Sequence, residues 1–140
     1  MGQRARINRM LRILVGSREV AELFVGKESE FEDRDRKIIA QGDLEIGVFH
    51  VNGDFYAYEN NCVHQGGPVC QGKILNKVEE VLADDKTSKG LKFSESDVHI
   101  VCPWHGYEYN LMTGRHPGDR NVRLKPYEVK ISDGEVYVIV

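Results

Sequence analysis

The chain has 140 residues and a mass of 15.9 kDa, room for one domain of ordinary size and not for two. With 41% hydrophobic and 29% charged residues it reads as a globular protein able to bury roughly two-thirds of the surface its unfolded form exposes. A formal charge of −3 argues against a nucleic-acid binder, which needs a basic surface to neutralise phosphates. No apolar run approaches the ~20 residues of a membrane-spanning helix. Three cysteines, an odd count, do not make a disulfide framework, and nothing resembles a secretory signal. The expectation is a reducing, cytoplasmic setting in which cysteine serves as a metal ligand rather than a staple.

Along the chain, residues 1–18 stand apart as a basic amphipathic segment. Arg4, Arg6, Arg9, Arg12 and Arg18 precede the first acid, Glu19, and Ile7, Met10, Leu11, Leu14 and Val15 recur at helical spacing, which predicts an amphipathic helix or extension docked on its own domain, the alternatives being a partner-docking arm or an organelle transit peptide. Residues 27–37 are a mixed charge cluster of the kind that forms a solvated turn or helix face. From Ile46 the texture changes to short alternating segments. Val51-Asn52-Gly53-Asp54-Phe55 predicts a hairpin on an Asn-Gly turn, with the return strand running to Glu59. Val98–Cys102, Tyr107–Leu111, Tyr127–Ile131 and Val136–Val140 are further predicted strands, with turns at Met112-Thr113-Gly114 and Ser132-Asp133-Gly134. Many short strands with regular turns indicate an all-β fold, an antiparallel sandwich or barrel. Between them lies an insert over about 71–97, where Ile74, Leu75, Val78, Val81 and Leu82 predict a short amphipathic helix and a loop.

Two clusters carry the chemistry, Cys62-Val63-His64 and Cys102-Pro103-Trp104-His105. Each joins a soft thiolate to an imidazole, and each is followed by glycine, as Gln65-Gly66-Gly67-Pro68 in the first and Gly106-Tyr107 in the second. Thiolate suits iron–sulfur clusters and zinc; imidazole suits zinc, copper and iron. Two matched Cys/His pairs imply one site assembled from two loops. Two Cys and two His also make a satisfactory tetrahedral zinc set, although zinc ribbons usually pair like ligands across short spacers.

Cys-X-His followed by Cys-Pro-X-His-Gly resembles the paired loops of a Rieske [2Fe–2S] protein, and the likeness extends from about Glu45 to the C-terminus. It implies a Rieske-type antiparallel β-sandwich or barrel with a small cluster-binding subdomain, here forming a single domain over 19–140. It implies one [2Fe–2S] cluster, with Cys62 and Cys102 on one iron and His64 and His105 on the other. Glycines at 66, 67 and 106 would let backbone N–H groups approach bridging sulfides, Trp104 would screen the cluster on one side, and the segment Gly114–Gly118 with Pro117 resembles the covering third loop. Tyr109 matches an aromatic position whose phenol reaches a cysteine sulfur.

The departures from the family pattern are also informative. The cytochrome-complex branch carries an extra cysteine in each loop, joined by a disulfide; here those positions are Gly67 and Trp104, so the bridge is absent. Cys70 is expected to be a small buried hydrophobe. Tyr107 stands where the high-potential branch often has serine, which removes a hydroxyl donor to sulfide. Fewer donors imply a potential near about −150 mV rather than +300 mV. The 37 residues between His64 and Cys102 exceed the usual connection, and the insert accounts for the excess. His50 and His99 read as packed strand histidines. His116 lies in the segment that resembles the covering loop, where its protonation would act on the cluster.

No acid–base pair, nucleophile motif or nucleotide fingerprint accompanies these loops. The resemblance therefore implies a one-electron carrier, not an enzyme: a Rieske-type ferredoxin passing electrons from a reductase to an oxygenase or similar acceptor. Protonation of the two ligand histidines would raise its potential as pH falls. The alternatives are a Rieske small subunit of a multisubunit oxidoreductase and a structural zinc module.

Overall fold

The computed structural model describes the backbone at residues 6–7, 10–15, 18–63, 66–82, 88–104 and 106–140, and side chains within these ranges except at 6–19, 77–96 and 120. The elements are β1 (Arg6–Ile7), β2 (Met10–Val15), β3 (Arg18–Lys27), β4 (Arg36–Gln41), β5 (Leu44–Val51), β6 (Asp54–Glu59), β7 (Lys73–Leu82), β8 (Ser88–Val101), β9 (Glu108–Asn110), β10 (Arg115–His116), β11 (Asp119–Arg123), β12 (Pro126–Ser132) and β13 (Glu135–Ile139), with single 3₁₀ turns at Glu28–Glu30 and Val69–Gln71. The all-β expectation and its antiparallel barrel hold. An eight-stranded sheet in the order β1-β4-β5-β6-β12-β13-β3-β2 is antiparallel except at the β1–β4 edge, and a three-stranded sheet β7-β8-β9 and a β10-β11 ribbon complete the fold. The Asn-Gly hairpin is present: Val51 pairs with Asp54, and Asn52 and Gly53 take φ values of 52° and 85°. That is the left-handed geometry a two-residue turn requires of both central residues.

The two helical expectations are not met. Met10–Val15 is a strand, paired one by one with β3 from Met10↔Leu23 to Val15↔Arg18. The predicted insert helix is strand β7, paired with β8 from Lys73↔Val101 to Leu82↔Ser88 across two irregularities. In both segments the apolar positions satisfy two periodicities over so few residues. Ile and Val are stiff at χ1 and suit a pleated surface, and an adjacent strand supplies hydrogen bonds that an isolated short helix could not match. Ile74 packs on the core while its neighbour Leu75 is 43% exposed, the opposite-face alternation of a strand.

Strands β4, β5 and β6 are buried on both faces. One face joins Ile39, Ile46, Val48 and Ala57 to Leu23, Val25, Val136 and Val138, a core to which β3–β6 and β13 all contribute, so the sheet must curl around it. The other face carries Ile38, Phe49, Val51 and Tyr58 into a second core with Val98, Ile100, Cys102, Tyr109 and Leu111. The barrel is thus the floor on which the β7-β8-β9 subdomain sits. Because Val98, Ile100 and Cys102 are spaced by two, the strand that builds this second core also turns Cys102 inward.

Candidate metal centre

Cys62 lies just beyond β6, and Cys102 follows the last residue of β8. Both are 2% exposed. The two loops close in the same way. The Cys62 N–H donates to the Gly67 carbonyl (2.8 Å) and the Gly66 N–H donates back to the Cys62 carbonyl (2.7 Å); in the second loop Cys102 N–H donates to Tyr107 O (2.8 Å) and Gly106 N–H to Cys102 O (3.0 Å). Gly66 and Gly106 occupy the equivalent point with φ of 73° and 70°, where a side chain would be strained. The sequence spacing Cys-x-x-x-Gly is therefore a repeated local structure.

The surroundings of the two sulfurs differ. The Tyr109 hydroxyl lies 3.3 Å from Cys62 Sγ; against a thiolate, the hydroxyl is the donor. A Cβ on Gly67 would come within 2.9 Å of both Cys102 Sγ and the Trp104 ring, so absence of a side chain there keeps the space beside that sulfur. Trp104 is 56% and Val63 54% exposed, which places apolar side chains on the outer rim of the loops. Tyr107 stacks on His116 (centroids 4.3 Å apart) and meets the Tyr109 ring edge-on at 5.6 Å; Pro117 follows His116 and is exposed. Gly118 N–H donates to His116 Nδ1 (3.0 Å). His64 and His105 lie outside the described residues, and among the described residues no cluster of three or more metal-binding side chains occurs.

Several residues that support the loops carry no motif. Arg36 Nη1 donates to the carbonyls of Cys70 (2.7 Å) and Gly72, tying the exit of the first loop to β4; burial lowers its pKa below the usual guanidinium value. Asn60 Oδ1 accepts from Cys70 N–H (2.9 Å), and Arg34 donates to Asn76 on β7 (2.6 Å). These arginines belong to the run read from sequence as a solvated turn; only the fold brings their targets, more than 30 residues away, within reach. His99 on β8 is buried and its Nδ1 pairs with Glu108 on β9. Cys70 is fully buried, its thiol aimed at Tyr58 O (3.5 Å) and its pKa pushed up to about 12 by burial.

A curled antiparallel barrel carrying two equivalent cysteine loops beside a three-stranded sheet defines an iron–sulfur domain of the Rieske type. The family model for the Rieske [2Fe-2S] domain matches residues 21–128, and the chain belongs to that family. A human Rieske domain-containing protein is 26% identical over 136 residues, spanning 86% of this chain and 76% of its own. Ferredoxin CarAc of Metapseudomonas resinovorans is 29% identical over 104 residues, 74% of this chain and 78% of the relative. The complex of reduced oxygenase and oxidized ferredoxin in carbazole 1,9a-dioxygenase contains a chain sharing this fold with a TM-score of 0.60 and 26% identity, covering 84% of this chain and 91% of that one. The family's cofactor is one [2Fe-2S] cluster. The described residues fit it: two buried thiols at matching points of two loops, a hydroxyl directed at one sulfur, and a side-chain-free position beside the other.

Proposed function

We propose that this chain is a one-electron carrier of the ferredoxin type, with Cys62 and Cys102 on one iron and His64 and His105 on the other, within a domain spanning about 19–140. The observation that carries this reading is the duplicate closure of the Cys62 and Cys102 loops around buried sulfurs. When bound, the cluster supplies reversible one-electron chemistry. The chain's own residues hold the thiolates away from water, direct the Tyr109 hydroxyl at Cys62 Sγ, and leave Val63 and Trp104 outermost, where a redox protein can approach. Gly66, Gly67, Trp104, Gly106, Tyr107, Tyr109 and Pro117 line or shape this lobe.

The related CarAc and phenylpropionate/cinnamic acid dioxygenase ferredoxin subunit are carriers rather than catalysts. Reduction by a reductase and delivery to an oxygenase or similar enzyme follow for this chain by that kinship. With Cys62 and Cys102 assigned to iron and Cys70 buried by itself, no pair of cysteines is left for a disulfide, which supports a reducing, cytoplasmic setting; no helix among the described residues is long and apolar enough to cross a membrane. A second reading, a small subunit held permanently in a larger oxidoreductase, uses the same fold: a Mycobacterium tuberculosis protein assigned as a nitrite reductase small subunit matches with a TM-score of 0.62 at 11% identity, a likeness of fold alone.

The test is an anaerobic absorption and EPR spectrum with iron, zinc and acid-labile sulfide counted on one sample. Two irons and two sulfides per chain, with a reduced-state signal of mixed His/Cys ligation, are expected. One zinc and no sulfide after reconstitution with iron and sulfide would refute the carrier.

A further inference from the structure

The segment from Gly114 to Pro126 carries Arg115, Arg120, Arg123 and Lys125 against the single acid Asp119, in a chain whose net charge is −3. Its fold turns much of that charge outward. Leu124 is buried in the second core, held by its N–H donating to Gly114 O (2.8 Å), while Arg123 and Lys125 on either side are exposed. Lys125 O accepts from Glu59 N–H (3.0 Å) at the end of β6, which pins both cations beside the first cysteine loop. There they border a furrow of about 610 Å³ whose other wall is Cys62, Val63 and Gly66, with Glu59 its one carboxylate. Arg123 and Pro126 are shared with a neighbouring furrow of about 460 Å³ that adds Arg115 and the rings of Tyr56 and Tyr127, and no acid. Among the described residues, Arg115, Arg123 and Lys125 enter no ion pair. Lys125 instead lies 5.5 Å over the Tyr127 ring.

Cations without ion-pair partners, beside half-buried Tyr56 and Tyr127 and exposed Val63, form the polar rim and apolar centre that a protein partner uses, and on a molecule of net negative charge they orient its docking. We propose that this basic flank, Arg115, Arg123 and Lys125 with Val63, is the docking surface for an acidic face of the redox partner. The inference rests on the carrier reading above and adds the partner's charge and side of approach. Docking there brings the partner against the wall formed by Cys62, so orientation and electron transfer are served by one surface.

The experiment follows oxidation of the reduced, cluster-loaded protein by stopped flow. Two haem proteins serve as probes: ferric cytochrome b5, with an acidic face at its haem edge, and ferric cytochrome c, with a basic one. The rate with cytochrome b5 should fall as ionic strength rises, and Arg123→Gln/Lys125→Gln should lose about tenfold at low salt. Lys27→Gln, far along β3, should leave the rate unchanged, and the reduction potential should be the same in all three proteins. A cytochrome b5 rate indifferent to the double substitution, or cytochrome c as the partner attracted at low salt, would overturn the proposal. So would inorganic phosphate shifting the Arg123 and Lys125 NMR signals with no change in rate, which would mark a small-anion site. If a chain with two irons and two sulfides were oxidised by neither cytochrome, the carrier reading would fall and the docking surface with it.

Discussion

Removing one oxygen atom, by Tyr109→Phe, isolates what the phenol does to the proposed centre. Tyr109 is fully buried and its ring packs in the second core, so phenylalanine keeps the volume and leaves no cavity. What disappears is the hydroxyl 3.3 Å from Cys62 Sγ. A hydrogen bond to a charged acceptor contributes about 1.5–3 kcal/mol. Part of that is common to both redox states, because the sulfur is anionic in each, but the reduced centre carries one more negative charge and gains more from the donor. Taking the difference as about 1 kcal/mol, and about 59 mV for each tenfold change in a one-electron couple, the potential of the variant should fall by about 40 mV. The sign follows from the donor favouring the reduced form. Direct voltammetry of both proteins at one pH, with iron and sulfide counted first, measures it. A shift below about 10 mV, or an upward shift at full cluster content, would refute the claim that this hydroxyl acts on the sulfur.

Arg36→Ala should lower the urea midpoint of cluster bleaching by the equivalent of about 2–4 kcal/mol, since the buried carbonyls of Cys70 and Gly72 lose their donor; a change under about 0.5 kcal/mol would show that the loop exit is held by other contacts. Gly67→Ala puts a methyl group 2.9 Å from Cys102 Sγ and the Trp104 ring, so iron and sulfide per chain should drop by at least about half, since steric overlap of this size forces a shift in close-packed surroundings. Full loading would show that the loop yields freely. Stability should also decline in alkali. Burial pushes the Cys70 thiol up to about 12 from an ordinary value of 9.0, and it likewise raises the Tyr58 hydroxyl. The unfolded chain therefore gives up protons that the folded one retains. The stability present below pH 9 is lost by up to about 1.4 kcal/mol per pH unit between 9 and 12 for the thiol. Cys70→Ala should flatten the first part of that decline in pH-dependent urea melts; an unchanged slope would mean that Cys70 is not shielded.

Local sequence was sufficient wherever one or two neighbouring residues decide the backbone. Asn52-Gly53 specified a hairpin because few residues accept positive φ at two consecutive positions. The glycines four residues after Cys62 and Cys102 marked equivalent points in loops that close with equivalent hydrogen bonds. Val98–Cys102 was legible as a strand, and in the structure its alternate residues Val98, Ile100 and Cys102 are the buried ones. These features made the all-β class, the family and the two cysteine loops legible from the residues alone, since each rests on contacts within about five positions. Tertiary structure decided the rest. Met10–Val15 and Lys73–Leu82 are strands because β3 and β8 offer them whole rows of backbone partners, and no short-range periodicity of apolar residues reports the presence of such a partner. Arg36 looked like one cation in a solvated run until β4 carried it to the carbonyls of Cys70 and Gly72. Likewise, the charge at Arg123 and Lys125 became a surface beside Cys62 only because buried Leu124 turns its neighbours outward and the Lys125 carbonyl is bonded to the end of β6. A side chain's chemistry is written at its own position, whereas what it faces depends on segments that meet only when the chain closes on itself.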